Sequence, residues 1–235
     1  KSSVTVGYQL SYPDENISVL SPQECTKLKR EGLYICMIKN PNPVAKNVTP
    51  QLSDVAFIRE KVPMTKEEIR HVSICKLHLK SDSVLYDVGS GTGSIAVEAA
   101  SLSDDMEVYA IEQKENAVQL ITQNKEKHGL ENIHVINAKA PDGMDNLPVP
   151  THAFIGGSSG NLKEIIEALK VKNPHIRIVI NAISMETICE IKEIMSAYDV
   201  KNEDIVQLQV SRSKQIGHYH LMQAENPVWI CSFEF

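Results

Sequence analysis

A run of three alternating glycines, Asp87-Val88-Gly89-Ser90-Gly91-Thr92-Gly93, is the segment of this sequence best suited to bind a ligand. It follows an apolar stretch typical of a strand and precedes a stretch typical of a helix. Glycine lets the chain turn sharply and lets a ligand approach the backbone without meeting a Cβ atom. The spacing G-x-G-x-G differs from the G-x-G-x-x-G pattern that places a pyrophosphate at a helix N-terminus. The run therefore departs from the dinucleotide fingerprint.

A second acidic residue, Glu112, lies near the end of the next predicted strand. A carboxylate at that position can accept hydrogen bonds from both hydroxyl groups of a ribose. A glycine turn alone is weak support for a binding site, because purely structural turns also use glycine. The full order of strand, acid, spaced glycines, helix and second acid is specific.

This arrangement resembles the first motif of the class I S-adenosylmethionine-dependent methyltransferases, in which the amino-acid end of the cofactor lies over the glycine loop. The resemblance implies that Glu112 binds the ribose of S-adenosylmethionine. It also implies that the cofactor contacts the residues of the first motif, namely Asp87, Gly89, Ser90, Gly91, Thr92 and Gly93.

Five separated segments are similar, in the same order, to those of the precorrin C15-methyltransferases of the cobalamin pathway, which also decarboxylate their substrate. The segments are Phe57-Ile58-Arg59 with Pro63 to Arg70, Phe154 to Gly160, Val179 to Ala182 with Glu186 and Thr187, Val210-Ser211-Arg212, and Asn226-Pro227-Val228. The resemblance covers residues 54–235 and implies that they form an S-adenosylmethionine-dependent C15-methyltransferase domain.

The resemblance implies methylation of carbon 15 of precorrin-6B or cobalt-precorrin-6B, with loss of the acetate carboxyl group on ring C. Such a transfer depends chiefly on alignment, so neither a metal ion nor a protein nucleophile is expected. The residues implied to bind this tetrapyrrole are Met64, Lys66, Gly157, Ser158, Ser159 and Arg212. Those implied in catalysis are Arg212, Glu186 and Asn181, and those added to the cofactor site are Thr65 and Ala140.

Because the implied substrate carries several carboxylates, we expect localised positive charge at its site. The basic candidates are Arg59, Lys61, Lys66, Arg70, Arg212, Lys214 and His218. Each of them, taken alone, also fits a solvated surface position. Glu186 equally fits the first turn of a helix, where a carboxylate favours the helix dipole. His218 and His220 are a pair without a third ligand, which argues only weakly for a metal.

One position departs from the family pattern. In the segment Ala138-Lys139-Ala140-Pro141, Lys139 stands where the family commonly carries an acid. A side-chain carboxylate bonded to the adenine amine is therefore not expected, and that contact falls to the backbone around Ala140.

The elements that must position these residues alternate from Val55 onward between short strands and longer helices. Strands are predicted at 83–88, 107–111, 132–136, 152–155 and 177–180, with helices at 94–102, at 114–128 and after each of the last two strands. Thr65, with Glu68 three residues later, predicts a capped helix start. We therefore predict a Rossmann-like α/β fold with a mostly parallel seven-stranded sheet and helices on both faces. The runs 205–210 and 228–235 predict a C-terminal antiparallel hairpin.

Residues 1–40 predict a small β-α-β piece, with strands at 4–8 and 33–38 and a short helix that begins at Ser21-Pro22. The prolines of Asn40-Pro41-Asn42-Pro43 and Pro50 predict an extended linker at 41–53. Residues 4–40 resemble the last part of a companion C5-methyltransferase domain. Since most of that domain is absent from this sequence, we do not expect C5 chemistry from it.

The 235 residues include 24 Lys and Arg against 30 Asp and Glu, a net charge of −6, which argues against a protein that chiefly binds a phosphate backbone. Two other function classes stay open. A transfer-RNA adenine methyltransferase would need a basic face, and a non-catalytic S-adenosylmethionine-binding module would bind without turnover. No stretch is apolar enough for a bilayer and the five cysteines are scattered, so we expect a cytoplasmic protein without nucleic-acid or membrane partners. The resemblance implies a homotetramer.

Overall fold

A computed structural model of the chain describes residues 3–29, 31–40 and 49–235. They belong to two compact units, residues 1–45 and 46–235. Most of the predicted linker, residues 41–48, lies outside the described residues. Within the described part of the chain, no helix combines the length and the apolar character needed to cross a membrane.

The first unit is a three-stranded antiparallel sheet with the order β2-β1-β3. Its elements are β1 (Ser3–Tyr8), β2 (Asn16–Leu20), α1 (Pro22–Cys25) and β3 (Tyr34–Lys39). The short helix is closed by a capping box between Ser21 and Glu24. The predicted β-α-β arrangement is incomplete because it omits β2. The two apolar residues in the middle of β2, Ile17 and Val19, are exposed, so this edge strand shows no buried run.

The second unit contains a seven-stranded sheet with the order β6-β5-β4-β7-β8-β12-β9. Its strands, with those of a separate hairpin, are β4 (Val84–Val88), β5 (Glu107–Glu112), β6 (Ile133–Asn137), β7 (His152–Ile155), β8 (Arg177–Ala182), β9 (Lys201–Leu208), β10 (Ser211–Ile216), β11 (Tyr219–Ala224) and β12 (Val228–Glu234). The helices are α2 (Glu67–Leu77), α3 (Ser94–Ala100), α4 (Glu115–His128), α5 (Leu162–Lys172) and α6 (Met185–Ala197). The predicted α/β fold with a mostly parallel seven-stranded sheet is confirmed.

Helices cover both faces of this sheet because its side chains alternate between the two faces. Tyr86 belongs to a core cluster with residues of α5 and α6, such as Ile165 and Ile191. The neighbouring Leu85 belongs to a second cluster with residues of α2, α3 and α4, such as Ile95. The apolar run around Tyr86 predicts a central strand that is buried on both faces, and β4 is such a strand.

The strand order reverses at β4. From β4 the chain first builds β5 and β6 on one side, and then returns to build β7 and β8 on the other. The four pairs of neighbouring strands, β4–β5, β5–β6, β4–β7 and β7–β8, are all parallel. The carboxyl ends of these strands therefore lie at one edge of the sheet. In open parallel sheets, ligands bind in the crevice at such a reversal.

The C-terminal strands form a more elaborate arrangement than the predicted single hairpin. β9 and β12 do pair in antiparallel sense, but β12 is inserted between β8 and β9. The residues between β9 and β12 in the chain form a separate antiparallel hairpin, β10–β11, which the sequence did not predict. Most of its side chains are exposed, so its sequence lacks the alternation of a half-buried strand.

The predicted cap of α2 is wrong. The helix begins after Lys66 and has no side-chain hydrogen bond at its N-cap. The Thr65 carbonyl instead accepts a hydrogen bond of 2.8 Å from the guanidinium of Arg70, and the Glu68 carboxylate binds Arg212. Both residues that would have formed the capping box therefore have other partners: Thr65 a nearby arginine, and Glu68 a distant one.

Candidate functional site

A cavity of about 610 Å³ lies at the carboxyl edge of the parallel sheet. Its walls come from the segment before α2, the loops after β4, β5, β6 and β7, the end of β8 and the approach to β12. The predicted site residues that line it are Met64, Thr65, Lys66, Gly89, Ser90, Gly91, Glu112, Ala140, Gly157, Ser158, Ser159 and Asn181. The structure thus brings together residues that are up to 117 positions apart in sequence, from Met64 to Asn181.

The glycine loop forms the floor of this cavity. Gly89, Gly91 and Gly93 all have positive φ, at 69°, 59° and 78°. A Cβ atom at Gly89 would lie 2.3 Å from the carbonyl oxygen of Gly157, because the loops after β4 and β7 touch through their backbones. Both the conformation and the close approach therefore require glycine at position 89.

Asp87 lies beneath this loop and does not line the cavity. Its Oδ2 atom accepts hydrogen bonds from the Ser90 hydroxyl (2.6 Å) and from the Ala96 N–H (3.2 Å), so it joins the loop to α3. Burial raises the pKa of this carboxyl to about 7, and the nearby Glu112 carboxylate adds to the increase. Among the described residues, neither Asp87 Oδ1 nor the buried Thr92 hydroxyl has a hydrogen-bond partner. Asp87 thus supports the loop from below, and Thr92 is buried and also lies outside the cavity wall.

Glu112 is held at the cavity wall by backbone N–H groups. Its Oε2 atom accepts a hydrogen bond of 2.9 Å from Gly91, and its Oε1 atom accepts bonds of 2.9 Å from both Gln113 and Lys114. The residue is 8% exposed and lines the cavity. A carboxylate fixed in this way keeps acceptor capacity for a hydroxyl-bearing ligand beside the glycine loop.

The opposite part of the wall is formed by polar residues at the ends of β7 and β8. Asn181 donates a hydrogen bond of 2.9 Å to the hydroxyl of Ser73, which in turn donates to the Ile69 carbonyl. Ser159 accepts a hydrogen bond of 2.8 Å from the side chain of Gln113. A Cβ atom at Gly157 would meet nothing within 4 Å, so the cavity is open above this glycine.

Arg212 and Glu186, two of the three predicted catalytic residues, do not line the cavity. Arg212 lies on β10 between two carboxylates, those of Glu68 and Glu225, and its Nε is 3.2 Å from Glu225. Its partner Glu225 does line the cavity. Glu186 is exposed in the first turn of α6. Gly93, another predicted site residue, is the N-cap of α3 and also lies outside the wall.

Arg70, one of the basic candidates, is fully buried and serves another purpose. Its Nε donates to Glu98 (2.9 Å) and its Nη1 contacts Asp54 (3.1 Å). Buried charges are stable only when they are paired and hydrogen-bonded, as they are here. The guanidinium therefore cannot receive a substrate carboxylate. Within the described residues, no group of three His, Cys, Asp or Glu side chains is placed to hold a metal ion.

Several cavity residues escaped prediction from the sequence. Gln113, Lys114, Ile183 and Glu225 belong to no recognisable motif, although each lines the cavity. The first three come directly after β5 or β8. Their position at the carboxyl end of a parallel strand is the signal that could have identified them. Glu225 gave no such signal, because it follows the hairpin that the prediction omitted.

Comparison with known proteins identifies close relatives for this part of the chain. The family described as "Precorrin methyltransferase domain" matches residues 56–234. A protein of Methanocaldococcus jannaschii named "Probable cobalt-precorrin-6B C(15)-methyltransferase (decarboxylating)" is 39% identical over 182 residues, which are 76% of this chain and 95% of the relative. A Salmonella typhimurium protein named "Cobalt-precorrin-6B C(15)-methyltransferase (decarboxylating)" is 34% identical over 181 residues, 76% of this chain and 93% of that protein.

Solved structures agree with these relatives. The crystal structure of precorrin-6y C5,15-methyltransferase from Geobacter metallireducens has a TM-score of 0.75 and 30% sequence identity to this chain. The match covers 82% of this chain and all of the other. The fold around the cavity is therefore shared with class I methyltransferases.

The buried carboxyl of Asp87 predicts an unusual dependence of stability on pH. Its pKa is raised from 3.8 to about 7, so between these values the folded protein holds a proton that the unfolded chain has released. This contribution to stability is complete at low pH and is lost as the pH rises toward 7. In Asp87→Asn the side chain stays neutral at every pH, so the variant lacks this loss of stability. As the pH rises over this range, the free energy of unfolding of the variant minus that of the wild type should increase by about 1.4 kcal/mol per pH unit.

Urea unfolding of both proteins between pH 5 and pH 8 would measure this difference. Asp82→Asn, at an exposed position, is the matched control for the effect of the amide substitution itself. A difference between Asp87→Asn and wild type that stays constant across the range would contradict the assignment of a neutral Asp87.

Proposed function

This chain belongs to the family of precorrin methyltransferase domains, and from that premise we propose that it methylates carbon 15 of precorrin-6B or cobalt-precorrin-6B. The methyl group comes from S-adenosylmethionine: a bond forms between it and carbon 15, and its bond to sulfur breaks. Carbon 15 releases its hydrogen as a proton, and the acetate on ring C loses carbon dioxide and takes up a proton in its place. The names of the relatives support methylation at carbon 15 with decarboxylation, on cobalt-precorrin-6B. The observation that carries the proposal is the cavity that joins the glycine loop and Glu112 to a polar wall at β7 and β8.

The residues at the glycine-loop end of the cavity fit S-adenosylmethionine. Glu112 accepts the ribose hydroxyls, since its carboxylate is held in place beside Gly91. The wall at the end of β6, formed by Ala138, Lys139 and Ala140, offers backbone groups to the adenine. Thr65 closes this end from the segment before α2. When bound, the cofactor supplies an electrophilic methyl group on a sulfonium.

The other end of the cavity takes the tetrapyrrole. Lys66, Lys114 and Lys139 line the cavity as a whole, with Lys114 and Lys139 beside the cofactor end, and the three outnumber the two acidic wall residues, Glu112 and Glu225. Local positive charge of this kind suits a substrate with several carboxylates, although the whole chain has a net charge of −6. The three lysines therefore support a polyanionic substrate.

The polar residues of the far wall orient the ring for attack. Ser158 and Ser159, with the backbone of Gly157, offer hydrogen-bond donors to its carboxylates. Asn181 and Met64 bound the space around the reacting carbon. Because the transfer requires alignment above all, these residues contribute by holding carbon 15 in line with the methyl group.

Arg212 and Glu186 have different places in this proposal. Arg212 acts at the cavity through Glu225, which it holds at the wall, and through any substrate carboxylate that reaches its half-exposed guanidinium. Glu186 lies at the start of α6, where its charge favours the helix dipole. Its predicted catalytic role stays a prediction.

The product formed from precorrin-6B tests the proposed reaction directly. The chain would be incubated with S-adenosylmethionine and precorrin-6B, with and without cobalt, and the product analysed by mass spectrometry. We expect a product that has gained one methyl group and lost carbon dioxide. Cofactor binding with an unchanged tetrapyrrole would instead favour a non-catalytic module, and methylation of transfer RNA would favour the adenine methyltransferase.

The contacts of Glu112 predict a specific defect in cofactor binding. In Glu112→Gln, an amide nitrogen replaces one of the oxygens that accept backbone N–H groups and ribose hydroxyls. We expect the Kd for S-adenosylmethionine, measured by isothermal titration calorimetry, to rise by about tenfold or more. Glu115→Gln, three residues further along and outside the cavity wall, is the matched control and should bind as the wild type does. Equal affinities for both variants would remove Glu112 from the cofactor site.

Assembly of identical subunits is also part of the proposal. Ile216, Tyr219 and Leu221 share one face of the β10–β11 hairpin, and each is more than half exposed. Exposed apolar side chains that cluster on one face are typical of protein–protein contacts. We therefore assign the contact between subunits of the expected tetramer to this hairpin.

The hairpin contact predicts the effect of one charged substitution. Leu221→Glu should lower the mass of the assembly in light scattering, because it places a carboxylate in an apolar interface. Val171→Glu, at an equally apolar position that is 85% exposed on α5, should leave the mass unchanged. A full-sized assembly of Leu221→Glu would show that the hairpin is not the contact.

Two further expectations complete the proposal. All five cysteines are unpaired, as is typical of the reducing cytoplasm, where we place the reaction. Residues 1–40 lie outside the part that matches the family, and we assign them to the end of a C5-methyltransferase-like domain. The four exposed apolar residues on one face of their sheet support that assignment, since such a face suits contact with a larger domain: Ile17, Val19, Ile35 and Met37.

A further inference from the structure

The segment that closes the cavity opposite the glycine loop has little regular structure of its own. We call residues 51–66 the lining segment, because its last five residues, Val62 to Lys66, line the cavity. A single 3-10 turn, Asp54–Ala56, is its only regular element. Its position must therefore be set by contacts with the helices beneath it.

Asn124 on α4 makes the central one of these contacts. The side chain is fully buried, and its Oδ1 atom accepts a hydrogen bond of 2.7 Å from the Ile58 N–H. Its Nδ2 group donates to the Ile58 carbonyl (2.8 Å) and to the Thr92 carbonyl (2.9 Å). One amide thus binds both the lining segment and the glycine loop.

The two structures that Asn124 joins face each other across the cofactor end of the cavity. A Cβ atom at Gly91 would lie 3.1 Å from the carbonyl oxygen of Pro63, so the loop and the segment are already in close contact there. A shift of either one would change the width of the cavity beside Thr65 and Gly91. A buried amide with three hydrogen bonds resists such a shift, because moving either partner leaves a buried polar group unpaired.

We propose that Asn124 is a positioning residue for the cofactor: this side chain sets the affinity for S-adenosylmethionine by fixing the lining segment against the glycine loop. It does not line the cavity and acts through Ile58 and Thr92. The inference rests on the proposed function only in its choice of ligand. A positioning role can be distinguished from a purely structural one. If Asn124 positions the cofactor site, its loss must weaken binding more than a substitution elsewhere that lowers the stability of the protein by the same amount.

Asn132 provides a matched control for this distinction. Like Asn124, it makes three contacts with backbone groups: its Nδ2 group contacts the carbonyls of Ala100 (3.2 Å), Ser103 (2.9 Å) and Met106 (2.8 Å). None of these residues lines the cavity. Asn124→Ala and Asn132→Ala therefore remove the same number of contacts from the same kind of side chain, one beside the cofactor end and one away from it.

The experiment compares the Kd for S-adenosylmethionine with the Tm of each variant. Both alanine variants should unfold at a lower temperature than the wild type. Asn124→Ala should also raise the Kd by about tenfold in calorimetry, whereas Asn132→Ala should stay within about twofold of the wild type. Asn124→Ser, whose hydroxyl keeps one hydrogen bond, is a milder variant that should fold and give an intermediate Kd. Amide hydrogen exchange at Ile58 and Gly93 should accelerate together in the Asn124 variants.

The possible results separate the inference from the proposed function. Asn124 variants that bind S-adenosylmethionine as tightly as the wild type would overturn the inference and leave the function intact. An equal rise in Kd for Asn124→Ala and Asn132→Ala would also overturn it, since general loss of stability would then explain both. A wild-type chain that does not bind S-adenosylmethionine would overturn the proposed function and, with it, the inference.

Discussion

The architecture of the site depends on a backbone contact between two loops. The chain turns after β4 and after β7 at the same edge of the sheet, and Gly89 touches Gly157 there without room for a Cβ atom between them. Because the strand order reverses at β4, these two loops diverge above their contact and leave a crevice. In the function that we propose, the glycine loop binds the cofactor on one side of this crevice and the Gly157 loop binds the substrate on the other. A larger residue at position 89 would push apart the two halves of the site.

The wall formed by the lining segment, residues 51–66, is held in place by buried polar side chains and not by a helix or strand of the segment. Glu98 accepts hydrogen bonds from the backbone of Gln51 and Leu52, and its partner Arg70 binds the Thr65 carbonyl, so the pair fixes both ends of the lining segment. Asn124 fixes its middle. Such groups are costly to bury unless each finds a partner, and here the backbone of the segment supplies many of the partners. The segment is consequently held in place with no α-helix or strand of its own, and with a single 3-10 turn.

The sequence predicted the parts of the molecule that follow a repeating pattern or a family motif. The predicted parallel strands are confirmed, and the glycine loop and Glu112, which the sequence singled out, lie at the cavity, since apolar runs and spaced glycines are local signals. The roles of Thr65 and Arg70 were not predicted, because the Thr65 carbonyl is bound by a side chain, that of Arg70, and Arg70 itself pairs with Glu98, which is 28 positions further along the chain. The β10–β11 hairpin was missed for a related reason: its exposed faces carry no burial pattern, and Glu225 was lost with it.

The insertion of β12 between β8 and β9 also determines how this sheet can be completed during synthesis. The strand that pairs with both neighbours is made after them, with the β10–β11 hairpin in between. Until β12 leaves the ribosome, β8 is paired only with β7 and its other edge is free, and β9 has no strand of the sheet to pair with. Unpaired strand edges are prone to join other chains. The growing polypeptide therefore passes through a stage in which its half-built sheet has an unpaired strand edge at β8.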